Sequence, residues 1–194
     1  MSLDAVLKIG GSLSRGNGLD LLCREIAGWS ERYRLLIVPG GGGFADEVRN
    51  AYARFGLDEA TAHRMALLSM DQYGCLLGDL IAGSTVSDDL SHAIDAAEAG
   101  GAAILLPSAL VWKKDPLPHS WQVTSDTIAA WIARTIHCRR LVLLKDVDGV
   151  LRRDQKSSLN LINEITPAHL MGQNGCVDEY LPRFLNAAPL DTWV

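Results

Sequence analysis

An apolar run that ends in a lysine and two glycines, VLKIGGSL from Val6 to Leu13, poses the first chemical question. A strand buried on both faces has no use for an ammonium group, so Lys8 near its carboxyl end calls for an anionic partner outside the sheet. Gly10, Gly11 and Ser12 follow it, and a second loop, Gly40-Gly41-Gly42-Gly43, leads into a helical pattern. Glycines let the backbone approach a ligand closely, and a helix start offers free N–H groups to an anion, so both loops read as phosphate cradles. Two more loops add charge. One is Ser125-Asp126, and the other is Lys145-Asp146-Val147-Asp148-Gly149. A carboxylate between two lysines can hold both ammonium groups facing a phosphate; Asp126 suits that role or that of a plain helix cap. Asp148-Gly149 reads equally well as a turn.

The elements that must position these residues alternate along the chain. DAVLKI, RLLIVP, AAILLP and RLVLLK are short runs rich in Val, Ile and Leu, as suits strands of a parallel sheet. Between them, residues 18–33, 43–55, 58–83 and 89–101 repeat their apolar positions at three and four, and another helix is expected within 122–137, capped by Thr124, Ser125 or Asp126. From Asn160 onward, with Pro167, Pro182 and Pro189, the pattern is less regular. Strand–helix alternation predicts an α/β fold, a three-layer α/β/α sandwich around a mainly parallel central sheet. Ligands of such sheets gather at the carboxyl ends of the strands, where the glycine loops and the Lys145 loop fall. No repeat or linker divides the chain, so residues 1–194 read as one domain.

Composition narrows the function. The net charge of -5 argues against a nucleic-acid surface, which needs clustered Lys and Arg. No apolar stretch is long enough for a membrane span and the amino end lacks a signal-peptide layout, so a cytoplasmic protein is expected. Cys23, Cys75, Cys138 and Cys176 form no CxxC pair and read as buried free thiols, and no metal site is expected from side chains. A GxxxxGK[ST] loop is absent, so the chain is no P-loop protein. Gly40 to Ala45 satisfies GxGxxA, but the acidic residue that a dinucleotide fold wants about 20 residues on falls in a helical pattern instead.

VLKIGGSL, VPGGGGFADEVR, TSDTIAAWIA and LLKDVDGV, in this order, resemble the amino acid kinase superfamily of aspartate, glutamate and uridylate kinases over about residues 4 to 152. Within it, HRMALLSMDQYGCLLGDL and SWQVTSDTIAAWIA are most similar to the small methanofuran-biosynthesis aminomethylfuran phosphate kinases, which convert an aminomethylfuran-methyl phosphate to its diphosphate. The resemblance implies ATP and Mg2+ as cofactors, a small-molecule phosphoryl acceptor, a homo-oligomer, an acceptor-binding amino-terminal half and an ATP-binding carboxy-terminal half. It implies that Lys8, Asp126 and Lys145 are catalytic, with Asp126 orienting the lysines. Lys8, Gly10, Gly11, Ser12, Lys145, Asp146, Asp148 and Gly149 would border ATP. Gly41, Gly42 and Gly43 would hold the acceptor's reacting end.

Many members place a second lysine in a GGMxxK loop near the carboxyl end. The corresponding stretch here is NGCVDEYLPRF, so Arg183, Lys145 or neither fills that role. The acceptor pocket is expected under the helix of residues 58–82, with His63 and Asp71 as its telling residues and Asp71 suited to an aminomethyl group. Trp112, Trp121 and Trp131 read as packing. The alternatives are a kinase of a carboxylate or carbamate, and a nucleotide-binding storage or regulatory protein on the same scaffold.

Overall fold

The apolar runs form strands close to their expected bounds. In the computed structural model, which describes residues 3–153, 159–171 and 176–194, they are β1 (Ala5–Ile9), β2 (Leu35–Pro39), β4 (Ala102–Leu105) and β5 (Arg140–Leu144), with the short β3 (Thr85–Ser87) between β2 and β4 in the chain. A small antiparallel pair, β6 (Leu151–Arg153) and β7 (Leu159–Leu161), precedes β8 (Asp191–Trp193). Among the described residues the main sheet runs β3-β4-β2-β1-β5-β8, and all five pairings are parallel. The helices are α1 (Leu19–Ser30), α2 (Gly42–Phe55), α3 (Glu59–Leu80), α4 (Leu90–Glu98), α5 (Ser108–Lys114), α6 (Ser125–Thr135), α7 (Pro167–Leu170) and α8 (Leu181–Ala187).

The two-residue period of β1 sorts its side chains. Ala5, Leu7 and Ile9 join Ile26 of α1 and Tyr73 and Leu77 of α3 in one core layer. Val6 joins Ala97 of α4, Ile132 of α6 and Leu181 of α8 in the other. Fully buried side chains such as Ile9, Ile37 and Ile132 each contribute about 1.5–3 kcal/mol by leaving water. Lys8 has the parity of Val6 and faces the α6 layer, set between Val38 of β2 and Leu143 of β5. The carboxyl ends of β2, β1 and β5 are neighbours, so the loops that leave them share one edge of the sheet.

Two expectations are corrected, and one element is new. The tail is more regular than its prolines suggest, since it carries α8 and then β8, which pairs with the edge of β5. The segment after β4 forms α5, which was not foreseen. Cys23, Cys138 and Cys176 are buried, but Cys75 is exposed on α3. Among the described residues no helix is long and apolar enough to cross a membrane.

Candidate active site

Lys8, Asp126 and Lys145 meet in one buried cluster. Lys8 Nζ lies 2.8 Å from Asp126 Oδ1, and Lys145 Nζ donates to Oδ2 at 2.7 Å. Lys8 is 4% exposed and Asp126 2%. Lys8, Lys145 and Asp126 together carry one surplus positive charge, which the Asp178 carboxylate beside Asp126 partly offsets; the ammonium groups themselves are what an anionic ligand would meet. Burial pushes the Asp126 carboxyl up, but the charges of Lys8 and Lys145 outweigh it and hold the group below the usual carboxylate range. Burial pushes the Lys8 ammonium down, Lys145 pushes it further, and Asp126 opposes both.

Asp126 is free for this role because another residue caps its helix. Thr124 stands at the N-cap of α6 in extended conformation, but its own side chain makes no cap bond. Asp178, from the segment before α8, instead accepts from the backbone N–H groups of Thr124 (3.0 Å) and Thr127 (2.9 Å), satisfying orphan donors of the first turn. Its backbone N–H donates to Asp126 Oδ2 at 3.1 Å. Burial and the neighbouring Asp126 charge push the Asp178 carboxyl up, against the bonds it accepts.

The two glycine loops pack against each other above this cluster. A Cβ added at Gly11 would stand 2.2 Å from the Gly42 nitrogen, and Gly42 itself has φ of 57°, so at this junction only glycine lets the two backbones come together. After Gly10 the chain makes a 3-10 turn, Gly11–Arg15. Ser12 donates to Asp146 at 2.8 Å and so ties the first loop to the loop after β5. Beside them opens a cavity of about 180 Å³, lined by Gly11, Ser12, Gly41 and Gly42 on one side, α2 and α3 on another, and Ser120, Trp121, Val123 to Ser125 and Ile128 on the third.

The expected site residues divide accordingly. Gly11, Ser12, Gly41, Gly42 and His63 line the cavity. Gly10 lies at the cluster itself, where an added Cβ would stand 3.6 Å from Lys8 Nζ. Asp146 joins through Ser12. Gly43 is exposed with open space before it, Asp148 is exposed, and Gly149 turns the chain at φ of 125°; none of the three lines the cavity. Asp71 is turned away from the cavity, because its carboxylate accepts from the Ser108 backbone N–H at 3.1 Å and from the Ser108 hydroxyl at the start of α5. Arg183 is exposed, and Lys145 is the second cation on Asp126.

Residues not foreseen are Asp178, Arg15, Asp46, Arg49 and Glu59. Trp121, expected as packing, lines the cavity with the Arg49 guanidinium 5.1 Å from its ring. One signal for Asp178 was present: it stands three residues before Leu181-Pro182, the spacing of a helix start, and it accepts from the Leu181 N–H at 2.8 Å.

Lys8 and Lys145 share one carboxylate beneath joined glycine loops at the carboxyl edge of a parallel sheet, the place where ligands of open α/β sheets bind. The chain belongs to the amino acid kinase family, whose sequence model matches residues 5–188, and it is accordingly an ATP-dependent kinase. It is 29% identical over 191 residues to the (5-(aminomethyl)furan-3-yl)methyl phosphate kinase of Methanocaldococcus jannaschii, covering 97% of this chain and 86% of that protein. Its fold is similar to uridylate kinase from Archaeoglobus fulgidus, with a TM-score of 0.75 at 20% identity over 99% of this chain and 90% of that one. It is also similar to a carbamate kinase from Giardia lamblia bound to AMP-PNP, with a TM-score of 0.63 at 11% identity over 98% and 91% of the two chains.

Proposed function

We propose that this kinase phosphorylates an aminomethylfuran-methyl phosphate to its diphosphate, with ATP held toward the carboxy-terminal half and the acceptor toward the amino-terminal half. The observation that carries the reading is the cavity beside the lysine cluster, whose charged lining suits an acceptor with an anion and a cation. Arg15 and Arg49 both pair with Asp46, Arg49 at 2.9 Å, and their surplus positive charge suits a phosphate. Glu59 is the other carboxylate of the lining and makes no ion pair among the described residues. An ammonium group therefore falls to Glu59, since Asp71 is committed to Ser108. Similarity to the furan phosphate kinase of M. jannaschii supports the same acceptor.

ATP supplies the phosphoryl group, and the residues present fit it: a glycine cradle for the polyphosphate and a fixed cationic cluster beside it. An acceptor phosphate oxygen bonds to the γ-phosphorus as the bond from that phosphorus to ADP breaks, so the chemistry needs alignment and charge stabilisation more than a side-chain nucleophile. Lys8 and Lys145 are preorganised by Asp126 and need not reorient when charge develops. The Gly11 and Gly42 backbones bring the two substrate loops together. Magnesium takes one or two carboxylates with phosphate oxygens and water; Asp146, bonded to Ser12 beside the cradle, is a donor of that kind.

The test is an acceptor panel read by mass spectrometry, with the aminomethylfuran phosphate, its hydroxymethyl analogue, acetylglutamate and carbamate. The furan phosphate is expected to be converted fastest. Glu59→Gln should raise its KM roughly tenfold while leaving the KM of ATP and of the hydroxymethyl analogue near their wild-type values. Faster turnover of acetylglutamate or carbamate would contradict the acceptor assignment, and an equal KM change for both furans would contradict the role of Glu59.

A further inference from the structure

Every acceptor site on the Asp178 side chain is in use. Its Oδ2 takes the Thr124 N–H (3.0 Å), the Thr124 hydroxyl (3.1 Å) and the Thr127 N–H (2.9 Å). Its Oδ1 takes the Thr127 hydroxyl (2.6 Å) and the Leu181 N–H (2.8 Å). Three of these five donors are backbone groups with fixed direction, so the side chain is pinned between the first turns of α6 and α8. Its own N–H is then aimed at Asp126 Oδ2, the oxygen that also receives Lys145. Because the cap comes from outside the helix, the first turn of α6 presents Asp126 inward to both lysines. A carboxylate is needed for this, as it is acceptor-only, whereas an amide would turn one oxygen into a donor facing other N–H groups.

We propose that Asp178 is the positioning residue of the site: it clamps the amino end of α6 and, through its backbone N–H, fixes the carboxylate that holds Lys8 and Lys145. It touches neither substrate. Its effect on the reaction passes through Asp126, and the assignment rests on the kinase reading above. Reducing or misdirecting the clamp lets Asp126 swing, and the two ammonium groups swing with it, which affects the transition state more than ATP binding.

The experiment measures kcat and KM for Asp178→Asn and Thr127→Val, each in wild-type and Asp126→Asn backgrounds, with thermal melts to confirm folding. Asp178→Asn is expected to lower kcat on the order of a hundredfold with the KM of ATP changed less than about threefold. In the Asp126→Asn background the same change should cost less than about threefold, because the residue it acts through is already lost. Thr127→Val removes only one bond of the clamp and is close in shape; it should lower kcat about fivefold to tenfold with the same failure of additivity, and it decides the matter if Asp178→Asn does not fold. Equal losses in both backgrounds, or wild-type kcat in a folded Asp178→Asn protein, would overturn the assignment alone. Absence of turnover by the wild-type protein would overturn the kinase reading and this assignment with it.

Discussion

Lys8→Ala is expected to fold and to lose at least a hundredfold in kcat, with a much smaller change in ATP affinity. The ammonium is buried, paired with Asp126 and held at the edge where the glycine loops meet, so it is in place before charge moves onto the transferring group. Removing a preorganised charge contact of this kind costs about 3 kcal/mol in the transition state. Folding should survive for two reasons. Burial already disfavours the charged Lys8, so its loss removes a desolvation cost, and Asp126 keeps Lys145 at 2.7 Å. Lys8→Arg should rescue poorly, because a planar guanidinium needs more room than the ammonium that lies 3.6 Å from where a Gly10 Cβ would be. Steady-state kinetics with circular dichroism decide it. Wild-type kcat in a folded Lys8→Ala protein would show that this lysine does not serve the phosphoryl group.

Asp126→Asn is expected to be the more damaging change, since it affects stability as well as rate. It leaves the buried Lys8 and the part-buried Lys145 side by side with no anion between them. Losing one partner of a buried pair costs about 3–5 kcal/mol, and activity should fall by at least the Lys8→Ala factor because both lysines lose their alignment. The effect on stability has a definite pH dependence. The Asp126 pKa is depressed in the folded state, so its stabilisation is fully present above the ordinary value of 3.8 and is lost as pH falls through the lower folded value. Melting curves should therefore show a constant gap between wild type and Asp126→Asn from neutral pH down to about 3.8, closing only below it. A gap that closes between pH 7 and 5 would contradict the ionised, doubly paired carboxylate.

Local signals made the sheet and its loops legible. The Val, Ile and Leu runs gave four strands, the glycine runs fell in two loops that pack together, and Asp58 marked the start of α3, where it accepts from the Thr61 N–H at 2.7 Å. What local sequence could not decide was which of two roles a residue takes. Asp126 as helix cap or lysine partner depends on Asp178, far away in the chain, whose carboxylate takes the capping positions. Asp71 and Glu59 are both acidic residues of α3, and the sequence does not say how that helix is rotated against the sheet. Once Ser108 is seen to hold Asp71, the cavity is left to Glu59. The carboxy-terminal elements were missed because β8 and α8 are too short to show a period and α8 carries Pro182 as its second residue, which reads as a breaker until its place in the first turn is known.

Transfer to the furan phosphate can be followed by 31P NMR of the wild-type protein with ATP, magnesium and the aminomethylfuran phosphate. The acceptor's single phosphate resonance is expected to be replaced by the two coupled resonances of a diphosphate, with ADP appearing in equal amount. ATP left intact, or hydrolysed to free phosphate with the acceptor unchanged, would contradict it.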